Sequence, residues 1–520
     1  MNLEHSRFIR GDPVSHSSVR SAYMKPLLSA VLLALVSPSA LAHVIQVPYT
    51  LPVPFWLYAY GATGALLASF VVVGYFVNVN DAPLTQGSVD ITAVGVFRTI
   101  AHPRFIATMR GVSVGLLLLT IATGFVGPNY STTNFNMTFF WIVFVLGFAY
   151  FSAIVGDTFK VLNPWLVLCE VGERINRCAF QGRVRYPPWL AYYPALVLYA
   201  AFIWLELFGK TTPVTLSIAL VVYSVLNMSL AYLFGKQVWF RYGEFLSVFF
   251  RMIGKQAPLD FRYKAGAPPR LEIRGRPPFL GLLEKPAESV SLLIFVLFML
   301  SSTAFDGIHD TVPWVAVFWK LVYPGLERIV ATGSPRQYLV LVDFYYYWQW
   351  TMLLASPLFY LAIYAMFIWL AKVITKSSLS VTQLALRFAF SLIPIAFVYN
   401  VTHYFTLLVS QGPFIVPMLS DPFGFGWNML GTKLWYTQPF LLDAGTVWHV
   451  QVGLILFGHI VSVYLSHLEA LTVFKGRRAA TLSQVPLLLL MVLLTTIGLW
   501  ILSLPIAAGQ IMLPPPPPAN

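Results

Sequence analysis

The sequence predicts an all-α fold: a polytopic membrane helical bundle of about ten transmembrane helices behind an N-terminal signal segment. Three observations carry that prediction. Of 520 residues, 58% are hydrophobic and only 10% charged, with a mean hydropathy of +0.72; soluble domains carry about 25% charged residues. Ten apolar segments follow one another, each long enough to approach the about 20 residues that a bilayer needs. The basic residues alternate between the connecting loops. Together these exclude a soluble enzyme, a disordered chain and a nucleic-acid-binding module. The formal charge of +13 then reports orientation in a membrane, and no nucleic acid partner is expected.

Residues 1–42 read as a signal peptide. Arg7, Arg10, Arg20 and Lys25 make a basic start, Leu27 to Val36 an apolar stretch, and Ser39-Ala40-Leu41-Ala42 a small-residue cleavage site. Met24-Lys25 would start a compact signal by itself, so the first 23 residues read as an extension ahead of it. Cleavage would leave His43 as the mature N-terminus, where an α-amino group and an imidazole on one residue form a chelate for copper. Any residue can follow a cleavage site, so the ligand role stays open.

The ten-span membrane domain is expected over 43–510, with spans near 55–77, 111–127, 137–156, 189–208, 214–234, 289–305, 340–371, 384–410, 446–474 and 484–508. With the mature N-terminus outside, 24 of the 33 Lys and Arg fall on inside loops, five outside and four in the signal. The positive-inside rule then places both mature ends in the periplasm of a bacterial inner membrane. Ten of those cations lie in 235–286, a Pro-rich basic loop expected to touch anionic lipid on the cytoplasmic leaflet. Residues 511–520 form a Pro-rich periplasmic tail. Cys169 and Cys178 fall on the reducing side, which argues against a disulfide. P-loop, dinucleotide and C-x-x-C-H haem motifs are absent from the sequence.

Ionisable groups inside spans are costly, so each is a candidate for function. His403 lies some seven residues before the outer end of span eight, about 10 Å deep at 1.5 Å per residue. His449 sits at the outer mouth of span nine, and His459 is about 15 Å deeper, on a helix face about 80° away. His403 and His459 therefore read as a metal-ligand pair at matched depth, with His449 or His309 and Asp306 completing the shell. Equally, these imidazoles could hydrogen-bond helix carbonyls or the neighbours Asn400 and Tyr404. Asp306 and His309, three apart at the end of span six, could aim at one ion or simply close the helix with a turn. Glu206 ends span four as a proton carrier or an interfacial acid. Asp421, in a turn-rich loop, could reach the cavity mouth or only hold the turn. The acids and imidazoles gather in the outer half and the Arg and Lys in the inner half. That asymmetry points to chemistry or metal capture at an outward-facing cavity.

These residues sit in stretches that resemble the fenitrothion hydrolases, a family of bacterial integral membrane organophosphate hydrolases. The matching runs are Ala42-His43 with Leu51-Pro52-Val53-Pro54, Phe125-Val126-Gly127-Pro128, Gly156-Asp157, Asn163-Pro164-Trp165 and Gly243-Glu244-Phe245. They continue with Phe305-Asp306-Gly307, His403-Tyr404-Phe405, Ser420-Asp421-Pro422 through Gly426-Trp427, Gln451-Val452-Gly453 and Gly458-His459. Their order along the chain carries the match. The chain departs from the family at Thr50, at Ile308-His309-Asp310 and at His467-Leu468-Glu469, which bears on substrate range more than on fold. The resemblance implies hydrolysis of a lipophilic phosphotriester or phosphorothioate with release of a nitrophenol. A divalent ion, zinc or copper, held by His403, His459, His449 and His43 would supply hydroxide, with Asp306, His309 and Asp421 as catalytic groups. Two other readings use the same histidines: a copper-handling membrane protein, and a b-type haem protein with His403 and His459 as axial ligands. Oligomeric state is not legible.

Overall fold

The computed structural model describes residues 54–77, 87–177, 179–264, 270–330, 335–436, 438–474 and 476–504. Residues 1–42, expected as a signal peptide, lie outside them, as do His43, Cys178 and 511–520. The described chain is an all-α bundle with ten helices long and apolar enough to cross a membrane.

In order these are α1 (Phe55–Phe76), α2 (Pro103–Val126), α3 (Phe135–Ile154), α4 (Tyr193–Phe208), α5 (Pro213–Phe234), α6 (Val290–His309), α7 (Pro335–Thr375), α8 (Ile393–Gln411), α9 (Ala444–Val473) and α10 (Arg477–Ser503). The expected spans all appear, with ends moved by a few residues. Proline recurs at helix starts, in the first turn of α2, α4, α5 and α8, where its missing N–H leaves no bond unmade. Thr212 caps α5 and Ser289 caps α6 with side-chain oxygens. Residues Thr138–Gly147 of α3 are wound as a π-helix, a form concentrated at functional sites.

Helix α6 is the axis of the bundle. It packs on α4, α7, α8 and α10, and nearly all its side chains from Ser291 to Phe305 are buried. Helices α8 and α9 approach closely because Gly458 has no side chain: a Cβ there would meet Val398 at 2.4 Å and the Pro394 carbonyl at 3.0 Å. Gly498 of α10 makes room for the Tyr399 hydroxyl in the same way, at 2.3 Å, and that hydroxyl donates to the Leu494 carbonyl.

Residues 235–286 differ from expectation. They fold into a helix, Phe245–Gly254, buried along most of its length, and a hairpin. Strands β2 (Leu259–Lys264) and β3 (Arg270–Gly275) pair antiparallel, and β1 (Val89–Asp90) adds to the free edge of β3. Phe261, Leu271 and Ile273 fill the inner face. Many of the basic residues expected to meet lipid are paired instead: Arg262 with Asp260 and Glu284, Arg276 with Glu284, Arg274 with Glu272. Lys255 is tucked under Phe390, and burial pushes its ammonium down to about 8. Cys169 is a buried free thiol.

Candidate functional site

The ends of α4 and α6 and the middle of α8 bring four ionisable side chains and a tyrosine together on the side opposite the basic loops. Asp306 is the hub, with 7% of its side chain exposed. Its Oδ2 accepts from His403 Nε2 at 2.7 Å and from the Tyr404 hydroxyl at 2.6 Å. Its Oδ1 lies 3.5 Å from His309 Nε2, one turn further along α6. His309 Nδ1 in turn lies 3.1 Å from Asp310 Oδ1, and Asp310 is half exposed. A connected path therefore runs from the surface at Asp310 to a carboxylate inside the bundle.

The local sequence builds this. His309 stacks on Phe305, the ring one turn before it, at 5.5 Å, and meets Phe208 edge-on. The His309 carbonyl, left open at the helix end, accepts from Gln349 of α7, which also holds Trp314 and Tyr345. The end of α6 is thereby fixed by apolar stacking on one side and an amide clamp on the other. His403 and Tyr404 are consecutive on α8, their rings edge to face at 4.6 Å, and both reach the same carboxylate oxygen.

Behind the carboxylate is a small cavity of about 30 Å³, lined by Glu206, Ser302, Thr303, Asp306, Asn400 and Tyr404 together with apolar side chains. That suffices for one or two waters, and the polar lining supplies their partners. Glu206 thus joins the cluster, with the Tyr404 hydroxyl between its carboxylate and that of Asp306.

The structure unites Asp306, His309, His403 and Glu206 from the sequence-based expectation and separates His459, His449 and Asp421 from them, while His43 lies outside the described residues. His459 does not meet His403. Its ring lies 5.8 Å from Tyr399, one turn (four residues, about 6 Å) deeper on α8, and its Nδ1 pairs with the Ile455 carbonyl at 2.8 Å. The matched depth estimated from helix ends was off by that turn. His449 is exposed at the start of α9, with Nδ1 on the Gly445 carbonyl at 2.7 Å and Tyr58 alongside. Both therefore take the simpler option, bonding the carbonyl four residues back. Asp421 spends both oxygens on its own turn, accepting from the Phe425 and Gly426 amides. Among the described residues no group of three or more His, Cys, Asp or Glu has the arrangement to hold a metal ion. Tyr404, and Asn400 as cavity wall, were missed as site residues. Glu206 and Asp306 both lie within a turn of the C-terminal end of a span, so a donor at similar depth on α8 falls between them. Comparison with known proteins adds no relative: the chain matches no family model, no curated protein and no solved structure.

Proposed function

We propose that this protein is a membrane-bound hydrolase of neutral, lipophilic organophosphorus triesters, working on the periplasmic side of a bacterial inner membrane. The observation that carries the reading is the Asp306–His403 pair, a carboxylate inside an apolar bundle bound to an imidazole that is itself 27% exposed. His403 presents Nε2–H to Asp306, which fixes the tautomer and leaves Nδ1 as the nitrogen that accepts a proton. Water loses a proton to Nδ1 as its oxygen bonds to phosphorus. The bond from phosphorus to the aryloxide oxygen breaks in line, and the aryloxide leaves and takes the proton back from the imidazolium. Triester and water become diester and phenol. Asp306 balances the imidazolium charge in between, and Tyr404 with the cavity waters solvates the carboxylate on its far side. A nitrophenolate leaves readily, so this base suffices without a strong acid. A resident divalent ion fits poorly here, because among the described residues no three His, Cys, Asp or Glu side chains are arranged to hold one.

The test is nitrophenolate release from a nitrophenyl phosphorothioate triester by membranes holding equal amounts of wild type, His403→Asn and Asp306→Asn. Removing a general base typically costs about 10²–10⁴-fold, and both variants should fall in that range. A wild type inactive with and without added zinc or copper overturns the hydrolase reading. Activity lost to a chelator and restored by one of those ions would replace the base pair with a metal-bound hydroxide.

A further inference from the structure

The cluster around Asp306 carries more acid than base. Glu206, Asp306 and Asp310 supply three carboxylates, His309 and His403 only two imidazoles. Even with both rings protonated, one negative charge is left over. Among the described residues no Lys or Arg forms an ion pair with Glu206 or Asp306. Asp306 is served by His403, Tyr404 and His309, and Asp310 is half exposed. The unmatched charge therefore falls on Glu206, in the wall of the small cavity. An uncompensated carboxylate between membrane helices is costly.

The Tyr404 hydroxyl localises the imbalance. It has a single proton, and that proton goes to Asp306 at 2.6 Å. Towards Glu206 the same oxygen offers only lone pairs, so an acceptor faces an acceptor. Ser302 adds an independent sign. It is 2% exposed and lines the cavity, and its Oγ has no hydrogen-bond partner. The Tyr199 hydroxyl stands beside it without closing a bond. Thr303, next along α6, gives its proton to the Met299 carbonyl and keeps its lone pairs. A proton on Glu206 would close only the gap to Tyr404. A cation would serve the carboxylate, the phenol oxygen and the hydroxyls at once.

We propose that this cavity binds one sodium ion, held by oxygens of Glu206, Tyr404, Ser302 and Asn400, with Thr303 or a water completing the shell. Hard cations take oxygen ligands of this kind. Glu206 is the one carboxylate here with oxygens to spare, which matches a single positive charge and not a double one. The space of about 30 Å³ admits such an ion with a water. Sodium there would tie α4, α6 and α8 together and fix the far face of Asp306. The site does not depend on the hydrolase reading, and its test uses no ester. Full-length protein purified in detergent is assayed for binding of radioactive sodium by scintillation proximity. Its Tm is measured in NaCl and in N-methylglucamine chloride at equal ionic strength. One ion should bind per chain, and Tm should rise by a few degrees in sodium alone, as for any ligand that binds only the folded state. Glu206→Gln should weaken binding at least about ten-fold and Ser302→Ala by about two- to ten-fold. Glu244→Gln, whose carboxylate is not part of the cavity wall, should keep the sodium shift. Ser302→Ala leaves the charge in place and decides alone if Glu206→Gln does not fold. No sodium binding by the wild type, with one Tm in both salts, overturns the proposal and leaves Glu206 a protonated acid. Binding that survives both Ser302→Ala and Glu206→Gln at full affinity also overturns it, by placing the ion elsewhere.

Discussion

Two buried carboxylates, Glu244 and Asp306, show how differently one chain can treat the same group. Glu244 lies at the start of the buried helix Phe245–Gly254, fully enclosed. It accepts from the Leu246 and Ser247 amides, from Asn163 and from the Tyr223 hydroxyl. Burial raises its pKa, and the hydrogen bonds from Ser247, Tyr223 and Leu246 oppose the rise. Every partner is neutral and fixed, so the acid is a helix cap that ties α5 and the helix Pro164–Ile175 to Phe245–Gly254. Asp306 also sits among apolar helices, but its partners are two imidazoles and a phenol, and water-sized space lies behind it. The two imidazoles, unlike any partner of Glu244, can give or take a proton near neutral pH. Burial alone does not separate a structural acid from a chemical one; the protonic character of its partners does.

That contrast is open to breakage. The largest effect is expected at Asp306: Asp306→Asn should abolish most triester hydrolysis, about 10²–10⁴-fold, with little loss of folded protein. Glu244→Gln should do the reverse. Leaving part of a buried hydrogen-bond set unmatched costs about 1–3 kcal/mol, read as a lower Tm in detergent with an unchanged rate per folded molecule. If Glu244→Gln proved catalytically dead at normal Tm, the distinction would be lost. Next in size is Gly458→Ala, which drives a methyl group into Val398 and the Pro394 carbonyl; overpacking of this kind costs about 1–3 kcal/mol, again measured as Tm. Tyr404→Phe and Tyr223→Phe remove one hydroxyl from each carboxylate. The former should slow hydrolysis by about ten- to a hundred-fold, as the roughly 1.5–3 kcal/mol of a hydrogen bond to a charged group implies, and the latter should move only stability. A further prediction concerns Lys255. Its folded value of about 8 lies below the ordinary 10.5, so between those values the unfolded chain holds a proton that the folded one lacks. Stability should therefore rise as pH increases from about 8 to 10.5. Lys255→Met should flatten that part of the Tm-against-pH curve, and an unchanged slope would show that Lys255 is solvated.

The fold was legible because hydropathy and charge are additive along the chain: ten spans emerge from length, and their alternation from where Arg and Lys fall. The hairpin was not seen, although Phe261, Leu271 and Ile273 alternate with charged residues as a half-buried strand should. Counting the charges of 235–286 for orientation hid the spacing of its apolar residues. At the site, Asp306 and His309 were legible as a pair because both lie on one helix, where spacing fixes geometry. His403 was legible as costly and as sharing a site with Asp306, but His459, expected beside it, lies one turn away on Tyr399. Which residue an imidazole meets depends on how α6, α8 and α9 are rotated and shifted against one another, and Gly458 and Gly498 set that through close approach. Span lengths carry no such information.

The sheet at the basic side has a consequence for biosynthesis. Val89–Asp90 pairs with Arg274 and Gly275, and Thr92 bonds Ile273 across 181 residues of chain. A ribosome adding about 5–20 residues per second needs about ten to forty seconds to make that intervening length. Through that interval α2 to α5 emerge while the first strand waits without its partner. The edge that β1 covers is made only after α2 to α5, so the sheet closes once those helices are complete and before α6 follows.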